Sequence, residues 1–146
     1  MVWKPNVTVA AVVEQQGRFL LVEETTADGV RLNQPAGHLE EGESLLAAVV
    51  RETREETCRA FTPQAMLGIY RLPLPTLTYL RVAVIGSVGE ADPALTLDDG
   101  ILRTVWLTAD ELRAQPERLR SPLVLRCVED YLAGQRFPLS VLVEGA

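Results

Sequence analysis

At 146 residues with 47% apolar side chains, the chain has the size and hydrophobic content of one domain built on one core, and residues 1–146 read as a single unit without linker or repeat. Its formal net charge of −6 sets up a field that repels polyanions, which disfavours nucleic acid and anionic membrane surfaces as partners. The same field repels a small phosphorylated ligand unless a cation offsets it locally, and no stretch approaches the roughly 18 apolar residues of a membrane span.

The opening residues Met1 to Asn6 carry no apolar run, so a soluble, cytoplasmic protein is expected, as a monomer or weak homodimer. Val7–Val13 and Phe19–Val22 are β-branched or aliphatic runs separated by Glu14-Gln15-Gln16-Gly17, and together they predict a hairpin. A short strand leads to Pro35. Gly37 to Glu43, with two glycines and many charges, reads as a loop. Ser44 caps a helix running to about Thr57, with Leu46, Val49, Val50, Thr53 and Thr57 on its inward face. Strands follow at Met66–Arg71, Leu77–Val88 and Leu102–Leu107. Thr108-Ala109-Asp110-Glu111 is a capping box for a short second helix. Ser121-Pro122 opens a third, with an apolar stripe from Leu123 to Leu132 and a stop at Gly134. This order fits an α+β architecture and not regular βαβ alternation. Cys58 and Cys127 have no metal-type spacing and read as buried thiols.

The chemistry concentrates on the first helix. Glu52, Glu55 and Glu56 stand at i, i+3 and i+4, so their carboxylates share one side of the helix. An acidic face is ordinarily a solvated one. Here, however, the acids flank the buried stripe, and like charges at these spacings weaken a helix. Hard divalent cations select carboxylate oxygens, and Mg²⁺ keeps waters in its remaining positions, which leaves room for phosphate oxygens and an attacking water.

The residues around these acids sharpen that reading. Gly37, Glu43, Arg51-Glu52 and Glu55-Glu56 stand without a gap in the order Gly, five residues, Glu, seven residues, Arg-Glu-aliphatic-any-Glu-Glu-any-Gly-aliphatic, which resembles the Nudix box. The resemblance implies a Nudix fold, a mixed β-sheet core sandwiched between α-helices, and hydrolysis of a diphosphate linkage. It implies Glu52, Glu55 and Glu56 as ligands of Mg²⁺, with Mn²⁺ as a substitute. Arg51 would pair with Glu43, and Gly37 would allow a tight turn beside the metal. His38 lies in the same loop as a candidate phosphate contact. Thr53 replaces the aliphatic residue of the box, Cys58 and Arg59 replace its terminal Gly and aliphatic residue, and Leu32 stands where many members carry Trp. A left-handed helix exit is dearer for Cys58 than for Gly.

The similarity extends beyond the box: segments such as Asn33-Gln34-Pro35-Ala36-Gly37-His38-Leu39-Glu40, Arg120-Ser121-Pro122-Leu123-Val124 and Gly134-Gln135-Arg136-Phe137-Pro138-Leu139 resemble one bacterial phosphatase branch of the family. That similarity implies cleavage of thiamine pyrophosphate and hydroxymethylpyrimidine pyrophosphate to the monophosphate plus orthophosphate, with activity on nucleoside di- and triphosphates. A general nucleoside di- or triphosphate pyrophosphohydrolase would use the same residues. A non-catalytic nucleotide-sensing module would be expected to lose box acids, and an RNA-processing member would want a basic surface. Two further acidic pairs stand out. Glu23-Glu24 ends a strand where many members place Arg, and whichever side chain faces the pocket suits an aminopyrimidine better than a phosphate chain. Asp98-Asp99 precedes Gly100 in a loop that is either a plain turn or the source of an additional catalytic acid.

Overall fold

Alternation along the first strand sends its side chains into two different layers, and this divides the whole molecule. In the computed structural model, which describes residues 1–145, strand β1 (Asn6–Val12) contributes Val9 and Ala11 to one apolar cluster and Val12 to another. The first cluster is closed by helix α1 (Leu45–Thr57), through Ala48 and Val49. The second is closed by α2 (Ala109–Arg113) and α3 (Pro122–Leu132), through Leu112, Val124, Cys127 and Val128. Strand β7 (Thr78–Val88) alternates in the same way, Val82 and Val84 facing α1 while Ala83 and Ile85 face α3.

The strands form two four-stranded sheets. In the first, β1 lies between β5 (Ala36–His38), antiparallel, and β7, parallel, and β6 (Phe61–Pro73) occupies the edge beyond β7. The second is built on β3 (Arg18–Thr26), flanked by β4 (Gly29–Asn33) on one side and β8 (Ile101–Leu107) on the other. The result is a mixed-sheet core between helices.

Two elements differ from the expectation. The hairpin survives only as the two-residue strand β2 (Glu14–Gln15) against Phe19 and Arg18. Beyond it β1 and β3 belong to different sheets, because β1 pairs in parallel with β7, from Asn6↔Tyr79 to Val12↔Ile85. Likewise the segment from Gly37 is not all loop. Gly37 and His38 lie in β5, paired to Val9 and Thr8. Strand β6 is also longer than its alternation suggests, since register shifts near Gln64 and Leu67 put Ala65, Met66 and Leu67 all in the core.

The three helix starts are as expected. Ser44 accepts a bond from Ala47 N at 3.0 Å, Thr108 and Glu111 close the reciprocal capping box, and Ser121 caps α3. Gly134 ends α3 at φ +85° with Gln135 N donating to Asp130 O at 3.0 Å. The chain then returns to the edge of the first sheet, where Phe137 and Met66 exchange two backbone bonds of 2.8 Å. Thr53 is wholly buried, its hydroxyl donating to Val49 O at 2.7 Å, so the hydroxyl that departs from the box is satisfied within the helix.

The exit of α1 keeps the left-handed turn without glycine. Cys58 adopts φ 60° and ψ 23°, its N–H reaching Arg54 O, while its own carbonyl accepts Asp92 N at 2.8 Å. Left-handed backbone costs an L-residue about 1–2 kcal/mol, and the cost rises for a β-branched side chain. Cys58→Val is therefore expected to destabilise the protein by roughly 2 kcal/mol. Cys58→Gly is expected to stay within about 1 kcal/mol, since relief of strain offsets loss of a small buried side chain. Urea unfolding of both variants checks this, and equal losses for Val and Gly would contradict the left-handed exit.

Candidate active site

Helical periodicity, the left-handed exit and strand β5 together place acids at one end of a cleft of about 580 Å³. The in-register row His38, Thr8 and Arg81 crosses three strands of the first sheet and lies on the side facing α3. Tyr79 continues that side along β7, and all four residues line the cleft. Glu52 and Glu56 of α1 close one end beside Ala36 and Gly37, while Leu72 at the end of β6 and Leu74 in the connection to β7 also line it. Glu24 and Asn33 reach in from the second sheet, and residues 120–123 cover it from the start of α3.

The acids divide by environment. Glu52 and Glu56 are each only 8% exposed. Glu56 Oε1 accepts a bond from Ala36 N at 3.0 Å. Burial pushes the Glu56 carboxyl up to about 8; the Ala36 N–H opposes this, and the charges of Glu52, Glu24 and Asp98 add to it. Glu52 is raised as well, by burial first, against the pull of Arg51. A Cβ added to Gly37 would overlap the Glu52 carboxylate, so only glycine lets β5 pass this close to the acid. Glu55, unlike the other two, does not line the cleft; its side chain is 40% exposed and turned to Arg51.

Arg51 binds this arrangement together. Its Nε and Nη2 donate to the two oxygens of Glu43 at 3.0 and 2.6 Å, its Nη1 to Glu52 at 2.8 Å and to Glu55 at 3.3 Å, and its Nη2 to the His38 carbonyl at 3.1 Å. The Arg51 guanidinium holds the Glu43 carboxyl below its usual range. Glu43 in turn accepts Glu40 N at 2.9 Å, which ties the loop. Hard, buried, mutually repelling oxygen donors suit a divalent cation, and Glu52 and Glu56 are able to hold one, with Glu55 one helical step away outside the cleft lining. Among the described residues no three such side chains are already gathered into a ligand set. Arg51 takes Glu52 and Glu55 towards itself, so a cation has to share or displace that contact.

The other candidates are sorted by the fold. Glu23 does not line the cleft: Arg103 grips it at 2.9 and 3.0 Å and Arg118 at 3.0 Å, so it ties β3 to β8 and to the segment before α3. These two arginines hold its carboxyl below the usual range, against the effect of burial. Glu24 is the member of the pair that lines the cleft, paired with Arg120 at 3.0 Å and approached by Asn33 Nδ2 at 3.4 Å. His38 is exposed on the cleft wall, its ring 6.3 Å from that of Tyr79. Asp98 and Asp99 are both exposed. Asp98 docks on α1 through its N–H to Glu55 O at 2.9 Å, and its charge is felt by Glu52 and Glu56. Sequence reading missed Arg81, Arg120, Tyr79 and Asn33. The one available signal was Arg81, a charge inside the apolar run Leu80-Arg81-Val82-Ala83-Val84.

Comparison with known proteins gives this geometry its family. The NUDIX domain model matches residues 3–126. The phosphatase NudJ of Escherichia coli strain K12 is 40% identical over 141 residues, covering 96% of this chain and 92% of that protein. A NUDIX hydrolase structure from Nitrosomonas europaea superposes with a TM-score of 0.93 at 49% identity, covering 97% of this chain and 98% of the other. An ADP-ribose pyrophosphatase from Streptococcus suis shares the fold alone, with a TM-score of 0.66 at 20% identity over 88% of this chain and 92% of that one. The chain belongs to the Nudix hydrolase family and is an enzyme of that kind.

Proposed function

We propose that this hydrolase cleaves a phosphoanhydride bond in small phosphorylated metabolites, using Mg²⁺ held by Glu52, Glu55 and Glu56, and Mn²⁺ as a substitute. One observation carries the reading: two buried carboxylates open onto the same end of the cleft, Glu52 crowded against Gly37 and Glu56 held by the Ala36 N–H. The preferred substrates are thiamine pyrophosphate and hydroxymethylpyrimidine pyrophosphate, cleaved to the monophosphate and orthophosphate. Likeness to the phosphatase NudJ supports this choice, as does the acid Glu24 on the cleft wall. When bound, the cation supplies neutralising charge for phosphate oxygens and acidifies a water. Glu55, half exposed beside the buried pair, accepts the proton of the attacking water, with Asp98 as the competing base. Arg51 and Glu43 act as positioning residues. They fix the loop against α1 and touch no reacting atom.

An orthophosphate-release panel with Mg²⁺, spanning thiamine pyrophosphate, hydroxymethylpyrimidine pyrophosphate, nucleoside di- and triphosphates and ADP-ribose, tests the assignment. Fastest release from the two pyrimidine substrates is expected. Preference for nucleoside triphosphates would favour the general pyrophosphohydrolase reading, and no turnover of any phosphoanhydride would reject both.

Glu56→Gln is expected to keep the fold and lower kcat at least about a hundredfold, since an amide is a poor Mg²⁺ ligand. Its effect on stability has a definite sign. Because the folded carboxyl titrates near 8 and the free one at 4.5, the metal-free native state holds a proton that the unfolded chain has lost. Stability contributed by Glu56 is therefore complete below 4.5 and falls as pH rises towards 8. In chelator, wild-type Tm should decline across that window, and Glu56→Gln should flatten the decline. A parallel decline in both proteins would contradict the buried, proton-holding Glu56.

The pair of Arg51 and Glu43 is checked by a double-mutant cycle with alanine at each position. A coupling of about 1–3 kcal/mol is expected in stability, with a matching non-additivity in kcat/KM, because the contact is bidentate and partly shielded. Strictly additive losses would show that the two side chains act separately.

Substrate choice is read out at Glu24. Glu24→Gln is expected to lower kcat/KM for thiamine pyrophosphate by roughly ten- to a hundredfold, as for loss of one charged hydrogen bond of about 1.5–3 kcal/mol. Nucleoside triphosphate hydrolysis should change little or improve. Equal losses on both substrate classes would remove Glu24 from specificity.

A further inference from the structure

The cleft holds two arginines in opposite circumstances. Arg120 is already neutralised, at 3.0 Å from Glu24. Arg81 is 6% exposed, lines the same cleft and makes no ion pair among the described residues. Its Nη1 donates to Gln34 Oε1 and its Nη2 to Asn33 Oδ1, both at 2.9 Å, and the buried Cys127 thiol is a further neighbour. All of these partners are neutral.

Removing a guanidinium from water without an anionic partner is unfavourable, and amide dipoles return only part of the lost hydration. The choice of amides has a chemical consequence. Asn33 and Gln34 fix the plane of the fork while leaving its charge uncancelled, whereas Asp or Glu at either position would neutralise it. An arginine carries five N–H donors in a rigid plane that matches the spacing of phosphate oxygens, and the two amide oxygens do not exhaust them. Strand register also separates Arg81 from the acids. Arg81 pairs with Thr8, and Thr8 with His38, so the Arg81 backbone lies two strand spacings, about 10 Å, from β5.

We propose that Arg81 is a metal-independent anion subsite in the floor of the cleft, taking the substrate phosphate that stays on the organic group while the carboxylate end, through its cation, takes the phosphate that leaves. The assignment rests on the phosphoanhydride reading above. It explains why an acidic cleft retains one buried, uncompensated cation. It also makes the cleft bipolar, so that a diphosphate lies in one direction only.

Inorganic phosphate in chelator is the test probe, because without a cation the acids repel it and only Arg81 attracts it. Isothermal titration of the wild-type protein should show one saturable site that weakens with added salt. Asn33→Asp, which supplies Arg81 with an internal counter-charge while setting a second carboxylate beside Glu24, should weaken phosphate binding about ten- to a hundredfold in a protein that still unfolds cooperatively. Arg81→Met should abolish binding, but it also cuts the tie between the two sheets, so Asn33→Asp is the deciding variant. With Mg²⁺ restored, Asn33→Asp should raise KM for the diphosphate substrate more than it lowers kcat. Absence of phosphate binding by the wild-type protein in chelator, or unchanged binding by Asn33→Asp, would overturn the subsite. Those results leave the phosphoanhydride reading standing if the release panel is positive. Phosphate bound as described beside an empty release panel would overturn that reading and leave the Arg81 site as an anion site only.

Discussion

One guanidinium governs the candidate site. Arg51 reaches Glu43 in the loop, Glu52 and Glu55 on its own helix and the carbonyl of His38 in β5, so a strand, a loop and a helix are joined at a single planar group. Without it the carboxylates of α1 would repel one another and the loop acid alike. Charge alone does not close the balance, however. Glu56 makes no bond to Arg51, and burial raises its carboxyl more than the Ala36 N–H can lower it. The site holds more buried carboxyl groups than its own cations can keep ionised, and a divalent ion that takes the place of the Glu56 proton restores the balance.

The two-layer core explains how this surplus is presented to a ligand. Because β1 alternates between α1 and α3, the strand that supports the acid-bearing helix on one side carries the cleft on the other, where Thr8 and Arg81 are neighbours. Gly37 admits the Glu52 carboxylate at the sheet edge, so acids anchored in the α1 layer reach the cleft end beside β5. Chemistry and binding are thus carried by rigid strands and by helix termini, with the loop around Glu40 to Glu43 strapped down by Arg51.

How much of this could be read from sequence follows the range of each interaction. Helix α1, its Ser44 cap and its acidic side were legible because capping and 3.6-residue periodicity are local. The left-handed exit was legible as a question, and Cys58 answers it by accepting the strain. The hairpin was misread because Val7–Val13 carries no mark of its true partner in the first sheet, β7, some seventy residues away. The sequence leaves open whether Glu23 or Glu24 faces the cleft, because the choice is made by Arg103 and Arg118, which claim Glu23. Arg81 was hidden for a similar reason, since an apolar strand with one charge states that something is unusual without naming the amides that hold it.

The claim on which the rest depends is that the buried carboxylates beside Gly37 form a cation site that is protonated when empty. Mn²⁺ titration near pH 7 in two buffers of different ionisation enthalpy, followed by calorimetry, measures binding and proton release together. The account predicts saturable binding with release of close to one proton, carried by Glu56 and absent in Glu56→Gln. Saturable binding without proton release, or equal release in the variant, would contradict it.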